Sequence, residues 1–169
     1  MPEMSGDIKI REAQQADYEK IAQMHYPVWL ESYNATMAPS MTDIFVTCWA
    51  ENEYPRKVSE GATIMLAESG GEPVGMTIFG PDPKNPNNLH IGALYIKREK
   101  QRGGMGSALL EKALASQLLG DVTLACAEKN HKGRAFYADK GFDRDSSKDF
   151  SWEPIPGIEV LELGYTLHR

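Results

Sequence analysis

Cysteine is scarce in this chain. The 169 residues hold two, Cys48 and Cys126, far apart, with no CxxC pair, no HExxH and no cluster with His25, His90, His131 or His168. That spacing excludes a disulfide framework and offers no metal site, so no metal is expected. Long apolar runs are missing too. Nothing approaches the roughly 18 consecutive apolar residues of a membrane span, and the N-terminal MPEMSGDIKIRE lacks the apolar centre of a secretory signal. A cytoplasmic protein without a membrane partner is the expectation. Positive charge is in deficit: 18 Lys and Arg stand against 24 Asp and Glu, for a net charge of -6. Nucleic acid is therefore not an expected partner, because phosphate backbones are held by clustered Lys and Arg. Finally, none of the ten prolines falls within residues 87–153. Every backbone N–H of that stretch is kept, as a site built from main-chain donors needs.

What is present describes an ordinary globular chain. Hydrophobic residues make up 41% and charged residues 25%, with no repeat or low-complexity tract. The length suits a single domain over residues 1–169 that buries roughly two-thirds of its unfolded surface.

Periodicity sets the order of elements. DIKIRE, residues 7–12, alternates as a short strand; a helical region follows to about residue 48, with Ile21 and Met24 at helical spacing and interruptions near Pro27 and Pro39. ATIMLAE, SGGEP and VGMTIFG read as a hairpin over about 62–80, its turn rich in residues that tolerate positive φ. PDPKNPNN, residues 81–88, reads as a loop. LHIGALYI, 89–96, is a strand, and GMGSALLEKALASQLLG a helix with Gly120 at its C′ position. DVTLACA, 121–127, is a strand, HKGRAFYADKG a helix stopped by Gly141, and the tail two strands around Pro154, Pro156 and Gly157. The fold class expected is mixed α/β with a mostly antiparallel sheet.

Between the strand at 89–96 and the helix that follows lies QRGGMGSALL, residues 101–110. A turn that leaves a strand and opens a helix aims several unpaired N–H groups at one point, where the helix dipole adds roughly half a positive charge. Gly103, Gly104 and Gly106 permit strained angles and close approach of an anion. Lys97, Arg98, Lys100 and Arg102 surround the turn against one Glu99. A nucleoside-triphosphate loop would need Gly-Lys-Ser/Thr, and Met105-Gly106-Ser107 lacks the Lys; a dinucleotide GxGxxG fails where Leu109 replaces its third glycine. A glycine turn with no ligand remains the plain alternative.

LYIKREKQRGGMGSALL resembles the Gln/Arg-x-x-Gly-x-Gly/Ala signature of the GNAT superfamily of N-acetyltransferases, with Gln101, Gly104 and Gly106 in register. NHKGRAFYADKGF is similar to the family's second motif, an Asn followed by a helix ending in Phe/Leu-Tyr-x-x-x-Gly-Phe; here these are Asn130, Phe136, Tyr137, Gly141 and Phe142. The resemblance spans about residues 61–143. It implies a strongly twisted sheet whose fourth and fifth strands splay apart, flanked by helices, and acetyl-CoA as co-substrate lying in the gap. By the same resemblance, main-chain groups of Leu94, Tyr95 and Ile96 contact the pantetheine arm. Gln101, Arg102, Gly103, Gly104, Met105, Gly106 and Ser107 hold the pyrophosphate, Asn130 contacts the arm, and Arg134 approaches the nucleotide end.

The chemistry this implies is amine acetylation. Tyr137 matches the family's general acid. Many members carry a Glu five residues before the position of Tyr95 as a base, acting directly or through water; His90 stands there instead. A histidine with a reference pKa of about 6.5 is largely neutral at pH 7 and accepts a proton. Trp29 and Tyr33, at i and i+4, are candidates to line the acceptor pocket, against the alternative of a core aromatic pair. The expected acceptor is a primary amine of a small molecule or peptide, and a homodimer is what the family suggests. The competing reading is a domain of the same fold that binds acetyl-CoA as a sensor without turnover.

Overall fold

A computed structural model describes residues 8–33, 40–155 and 157–169. The chain runs β1 (Ile8–Glu12), α1 (Tyr18–Ser32), α2 (Ser40–Cys48), α3 (Tyr54–Ser59), β2 (Thr63–Ser69), β3 (Glu72–Asp82), β4 (Asn85–Ile96), α4 (Met105–Ala115), β5 (Val122–Ala127), α5 (His131–Asp139), β6 (Asp143–Arg144), β7 (Phe150–Ile155) and β8 (Ile158–Leu167). The strands form one eight-stranded sheet in the order β1-β2-β3-β4-β5-β8-β6, with β7 paired to β8. Among the described residues only β4 and β5 run parallel; the other neighbours are antiparallel. This is the mixed, mostly antiparallel sheet that the periodicity predicts.

Local chemistry accounts for the elements. Gly70 and Gly71 both take positive φ between the paired residues Ser69 and Glu72, the two-residue hairpin turn whose twist suits the flanking strands. Arg11 on β1 bonds Asp17 at 2.8 Å and Glu68 at 2.9 Å, tying the first strand to the start of α1 and to β2. Side chains of β2 and β3 alternate between two cores. Ile64, Leu66, Met76 and Ile78 meet Ile21, Ala22 and Tyr54 of α1 and α3. On the other face Phe79, Leu89, Ile91 and Leu124 meet Leu110 of α4 and Tyr137 of α5.

Three boundaries differ from expectation. Pro27 lies inside α1 without ending it. Both Pro27 and Gln23, whose carbonyl loses its intrahelical donor, are solvent-exposed, so water satisfies that carbonyl. The expected break near Pro39 lies outside the described residues. Residues 81–88 are not a loop: β3 continues to Asp82 and pairs with Asn85, where β4 begins, the register shifting between Pro81 and Asp82. That shift accommodates residues that cannot keep a regular ladder. And α4 ends at Ala115, a turn earlier than predicted. The Arg169 guanidinium donates to the carbonyls of Leu114 at 3.1 Å and Gly120 at 2.8 Å, and to that of Gln117, closing the helix end from outside.

Gly120 is required where it stands, though not as the helix stop. Its φ is +88° and a Cβ would lie 2.0 Å from the Asn87 carbonyl oxygen. Gly120→Ala is expected to destabilise the fold by about 2 kcal/mol or more, read as a lower midpoint in urea unfolding.

Candidate active site

Strands β4 and β5 pair over only residues 89–91 with 122–124. Beyond this they part, although β4 runs on to Ile96 and β5 to Ala127. The divergence begins at an irregularity in β4. Ile91 pairs with Phe79 and Ala93 with Ile78, so Gly92 is an extra residue, a bulge that bends its strand and raises the local twist. Past the bulge, Leu94, Tyr95 and Ile96 stay paired to β3 through Thr77, Met76 and Gly75. Their main-chain groups turned toward β5 have no strand partner. The resulting gap is a cavity walled by residues 91–95 of β4, 125–127 of β5, Ser32 of α1 and Tyr33 just after it, Asn130 just before α5 and Tyr137 within it, and Glu162 of β8.

At the end of β4 the glycine turn closes on itself. The Gln101 side-chain amide donates to the Ile96 carbonyl at 3.0 Å, and Lys97 N–H donates to Val74 of β3 at 2.8 Å. Arg102 has φ +68°, the one non-glycine residue with positive φ among the described residues, and Gly104 has φ +84° as the residue preceding α4. Gly103 and Gly106 are not left-handed. Gly106 lies beside the Phe136 ring, where a Cβ would make only ordinary contact at 3.4 Å. The N–H groups of Met105, Gly106 and Ser107 open the helix without intrahelical acceptors. Together with the strained Arg102 they make a concave set of donors suited to an anion such as pyrophosphate.

Tyr137 reaches the cavity from α5. Its ring sits in the core at 8% exposure, and its hydroxyl has no hydrogen-bond partner among the described residues. Burial raises its pKa above the ordinary value, with Cys126 and Tyr95 adding to the effect. Burial also pushes the Cys126 thiol, on the same wall, up to about 12. Asn130 caps α5 by accepting the Gly133 N–H at 3.0 Å, leaving its amide donors beside the cavity. Arg134 donates to the Tyr165 hydroxyl at 3.0 Å and to the Glu128 carbonyl at 3.2 Å. Those contacts hold its guanidinium against β8 and the end of β5.

His90 lies on the sheet face covered by α1–α3, opposite Thr123, and outside the cavity wall. Its Nδ1 is 2.9 Å from the Thr123 hydroxyl, which donates to Asp82 Oδ2 at 2.8 Å. Thr123 and Asp82 are 2% and 7% exposed. A hydroxyl has one proton, and Asp82 receives it; Thr123 must then accept from Nδ1–H, which leaves the lone pair on Nε2. Burial works against the Asp82 carboxylate, but the Lys84 N–H and the Thr123 hydroxyl hold it below the usual range. Burial lowers the pKa of His90; Asp82 opposes this, and Lys57 and Lys84 add to it.

On that same face Tyr33 lines the cavity, while Trp29 packs beneath it in a cluster with Tyr26 and Phe45. The pair divides: one ring faces the pocket and the other is core. His25 is buried among Phe45, Trp49, Tyr54 and Tyr95, bonded through Nδ1 to the Tyr54 hydroxyl at 2.8 Å, and desolvation lowers its pKa to about 3. It is a neutral packing group. Sequence reasoning missed Glu162, a buried carboxylate on the cavity wall. The signal was its phase in IEVLELGYTL, where it shares the inward parity of Val160. Among the described residues no helix is long and apolar enough to cross a membrane, and no group of His, Cys, Asp and Glu is arranged to hold a metal ion.

Residues 18–142 match the family described as Acetyltransferase (GNAT) family. A probable N-acetyltransferase of Mycobacterium tuberculosis is 43% identical over 167 residues, 97% of this chain and 95% of that protein. Among solved structures, the PaiA N-acetyltransferase of Thermoplasma acidophilum in complex with coenzyme A superposes with a TM-score of 0.70 at 19% identity, over 96% of this chain and 99% of that one. The ribosomal-protein-S18-alanine N-acetyltransferase of Escherichia coli does so with a TM-score of 0.69 at 15% identity, over 95% and 93% of the two chains.

The hydrogen-bond chain through Thr123 predicts an unusual imidazole state. In nitrogen-resolved NMR spectra His90 is expected to carry its proton on Nδ1 and to titrate below the ordinary value of about 6.5. Asp82→Asn should move that titration lower still, because it removes the charge that favours the imidazolium. A neutral His90 protonated on Nε2 contradicts this arrangement.

Proposed function

The chain belongs to the GNAT family of acetyltransferases, and from that premise we propose that it transfers an acetyl group from acetyl-CoA to a primary amine of a small molecule or peptide, with residues 1–169 acting as one domain. The observation that carries this reading is the unpaired Tyr137 hydroxyl on the wall of the cavity where β4 and β5 part. Acetyl-CoA supplies an activated acetyl thioester. The residues present fit it. The unpartnered main-chain edge of Leu94, Tyr95 and Ile96 matches the amides of a pantetheine arm, and the Asn130 amide stands on the opposite side of the gap. Residues 101–107 offer N–H groups to a pyrophosphate, with Arg102 beside it.

Two protons must move. In water a thiol (pKa about 8.5) is a stronger acid than tyrosine (about 10), so donation from tyrosine to a thiolate is uphill by roughly 2 kcal/mol. In this cavity burial raises a thiol and the Tyr137 phenol alike. Tyr137 stays protonated there, and its proton passes to the sulfur as the carbon–sulfur bond breaks and thiolate charge develops in a site that disfavours it. At the other end His90, outside the cavity wall, is the candidate base acting through water: its Nε2 carries the free lone pair, while Thr123 and Asp82 hold the ring in the accepting tautomer. His90 shares its sheet face with Tyr95, and Tyr33 lines the cavity on that side, which supports reading the α1 side as the acceptor side and the gap as the thioester side.

The test combines calorimetric binding of acetyl-CoA with thiol release over a panel of amines. Tyr137→Phe is expected to retain acetyl-CoA affinity and lose on the order of a hundredfold in kcat. Turnover at the wild-type rate would remove Tyr137 as the acid. Tight acetyl-CoA binding by the wild type without thiol release on any amine would favour a sensor domain.

A further inference from the structure

The acceptor side of the cavity carries a carboxylate that the proton transfers above do not use. Glu162 stands on β8 at 6% exposure, paired with Ala127, on the sheet face turned to α1. Its Oε2 accepts the Trp152 indole N–H at 3.1 Å, and the Tyr33 hydroxyl faces it. Both are neutral donors. Among the described residues no Lys, Arg or His forms an ion pair with Glu162. An ionised carboxylate taken out of water without a counter-charge is unfavourable, and burial accordingly raises the pKa of Glu162, with Trp152 and Tyr33 opposing. The protein keeps this carboxyl group on the wall of the cavity with no counter-charge among the described residues.

The surroundings indicate what neutralises it. Trp152, 38% exposed, and Tyr33 meet edge to face at 6.1 Å, and Trp29 supports Tyr33 at 5.0 Å. A carboxylate framed by indole and phenol rings suits an alkylammonium, which gains from the ion pair and from the negative faces of the rings. The charge served is one that persists. The nitrogen being acetylated must shed its proton, and a fixed anion beside it would hold that proton in place. We propose that Glu162, with Trp152 and Tyr33, forms a subsite for a second ammonium of the acceptor, so that the preferred substrates are amines bearing an additional positive charge. The subsite rests on the acetyl-transfer reading.

Three five-carbon acceptors separate the possibilities: 1,5-diaminopentane, 5-aminopentan-1-ol and 5-aminopentanoate, each assayed by thiol release. The wild type should prefer the diamine over the amino alcohol by about tenfold or more in kcat/KM, mainly through KM, as a charge-assisted contact requires. The aminopentanoate should be poorest, since its carboxylate meets another. Glu162→Gln, which keeps shape and removes charge, should bring the diamine-to-alcohol ratio close to one while acetyl-CoA affinity measured by calorimetry is unchanged. It should also raise Tm at mildly alkaline pH. The folded pKa of Glu162 lies above the unfolded one, so the stability of its neutral form is lost as pH rises through the folded value, and Gln escapes that loss. An unchanged ratio in Glu162→Gln, particularly with a lowered Tm, overturns the subsite and leaves acetyl transfer intact. Acetyl-CoA binding without thiol release on any amine overturns acetyl transfer, and the subsite with it.

Discussion

A single surplus residue in β4 governs the site. Because Gly92 has no partner on β3, the strand bends away from β5, and the gap that opens becomes the cavity. The same surplus residue changes the parity of everything beyond it. In a regular strand, positions five apart face opposite sides of the sheet, and His90 would sit in the apolar core beneath α4 and α5. The bulge restores it to the face of Ala93 and Tyr95, beside Thr123, where a polar side chain can be satisfied. Cleft formation and placement of the candidate base thus have one physical origin.

Around that gap the chain separates two electrostatic tasks. At the C-terminal end of β4, main-chain donors converge at the opening of α4, with the strain of Arg102 at φ +68° held by the Gln101 to Ile96 bond and the Lys97 to Val74 bond. This end favours negative charge. On the α1 face, Glu162 is a buried carboxyl group with no cation paired to it among the described residues, and Asp82 sits behind Thr123 as another buried carboxylate. That end favours positive charge or a proton acceptor. Between them, Tyr137 and Cys126 lie where burial suppresses ionisation of both a phenol and a thiol. A group that departs as an anion there has strong reason to take a proton before it leaves.

Much of this was legible from residue patterns. The hairpin at Gly70 and Gly71, the strand-length apolar runs of β2 and β5, the helix of α4 and the stop at Gly141 all express short-range sterics and local burial. The glycine turn and the NHKGRAFYADKGF segment were legible for the same reason: each depends on neighbours within a few residues. The errors fell where distant parts of the chain decide. Pro81, Pro83 and Pro86 suggested a loop, yet pairing with the rest of β3 extended the strands into it. Gly120 was placed as a helix stop, but Arg169, distant in sequence, caps the carbonyls and ends α4 earlier. Gly92 inside LHIGALYI was the readable hint of a bulge, and the phase of Glu162 in β8 the readable hint of a buried charge.

The sequence by itself determined most element types, the glycine turn and, through its resemblance, the family and with it the candidate acid, because these are written in local spacing and in motifs whose residues are close along the chain. Tertiary structure decided which side chains share a cavity. Only folding brings Tyr33 after α1, Tyr137 of α5 and Glu162 of β8 to one wall, divides Trp29 from Tyr33, ties Arg134 to Tyr165, and links His90 through Thr123 to Asp82. Strand register and helix packing join residues far apart in sequence, and the parity set by one bulge chooses the face on which each of them acts.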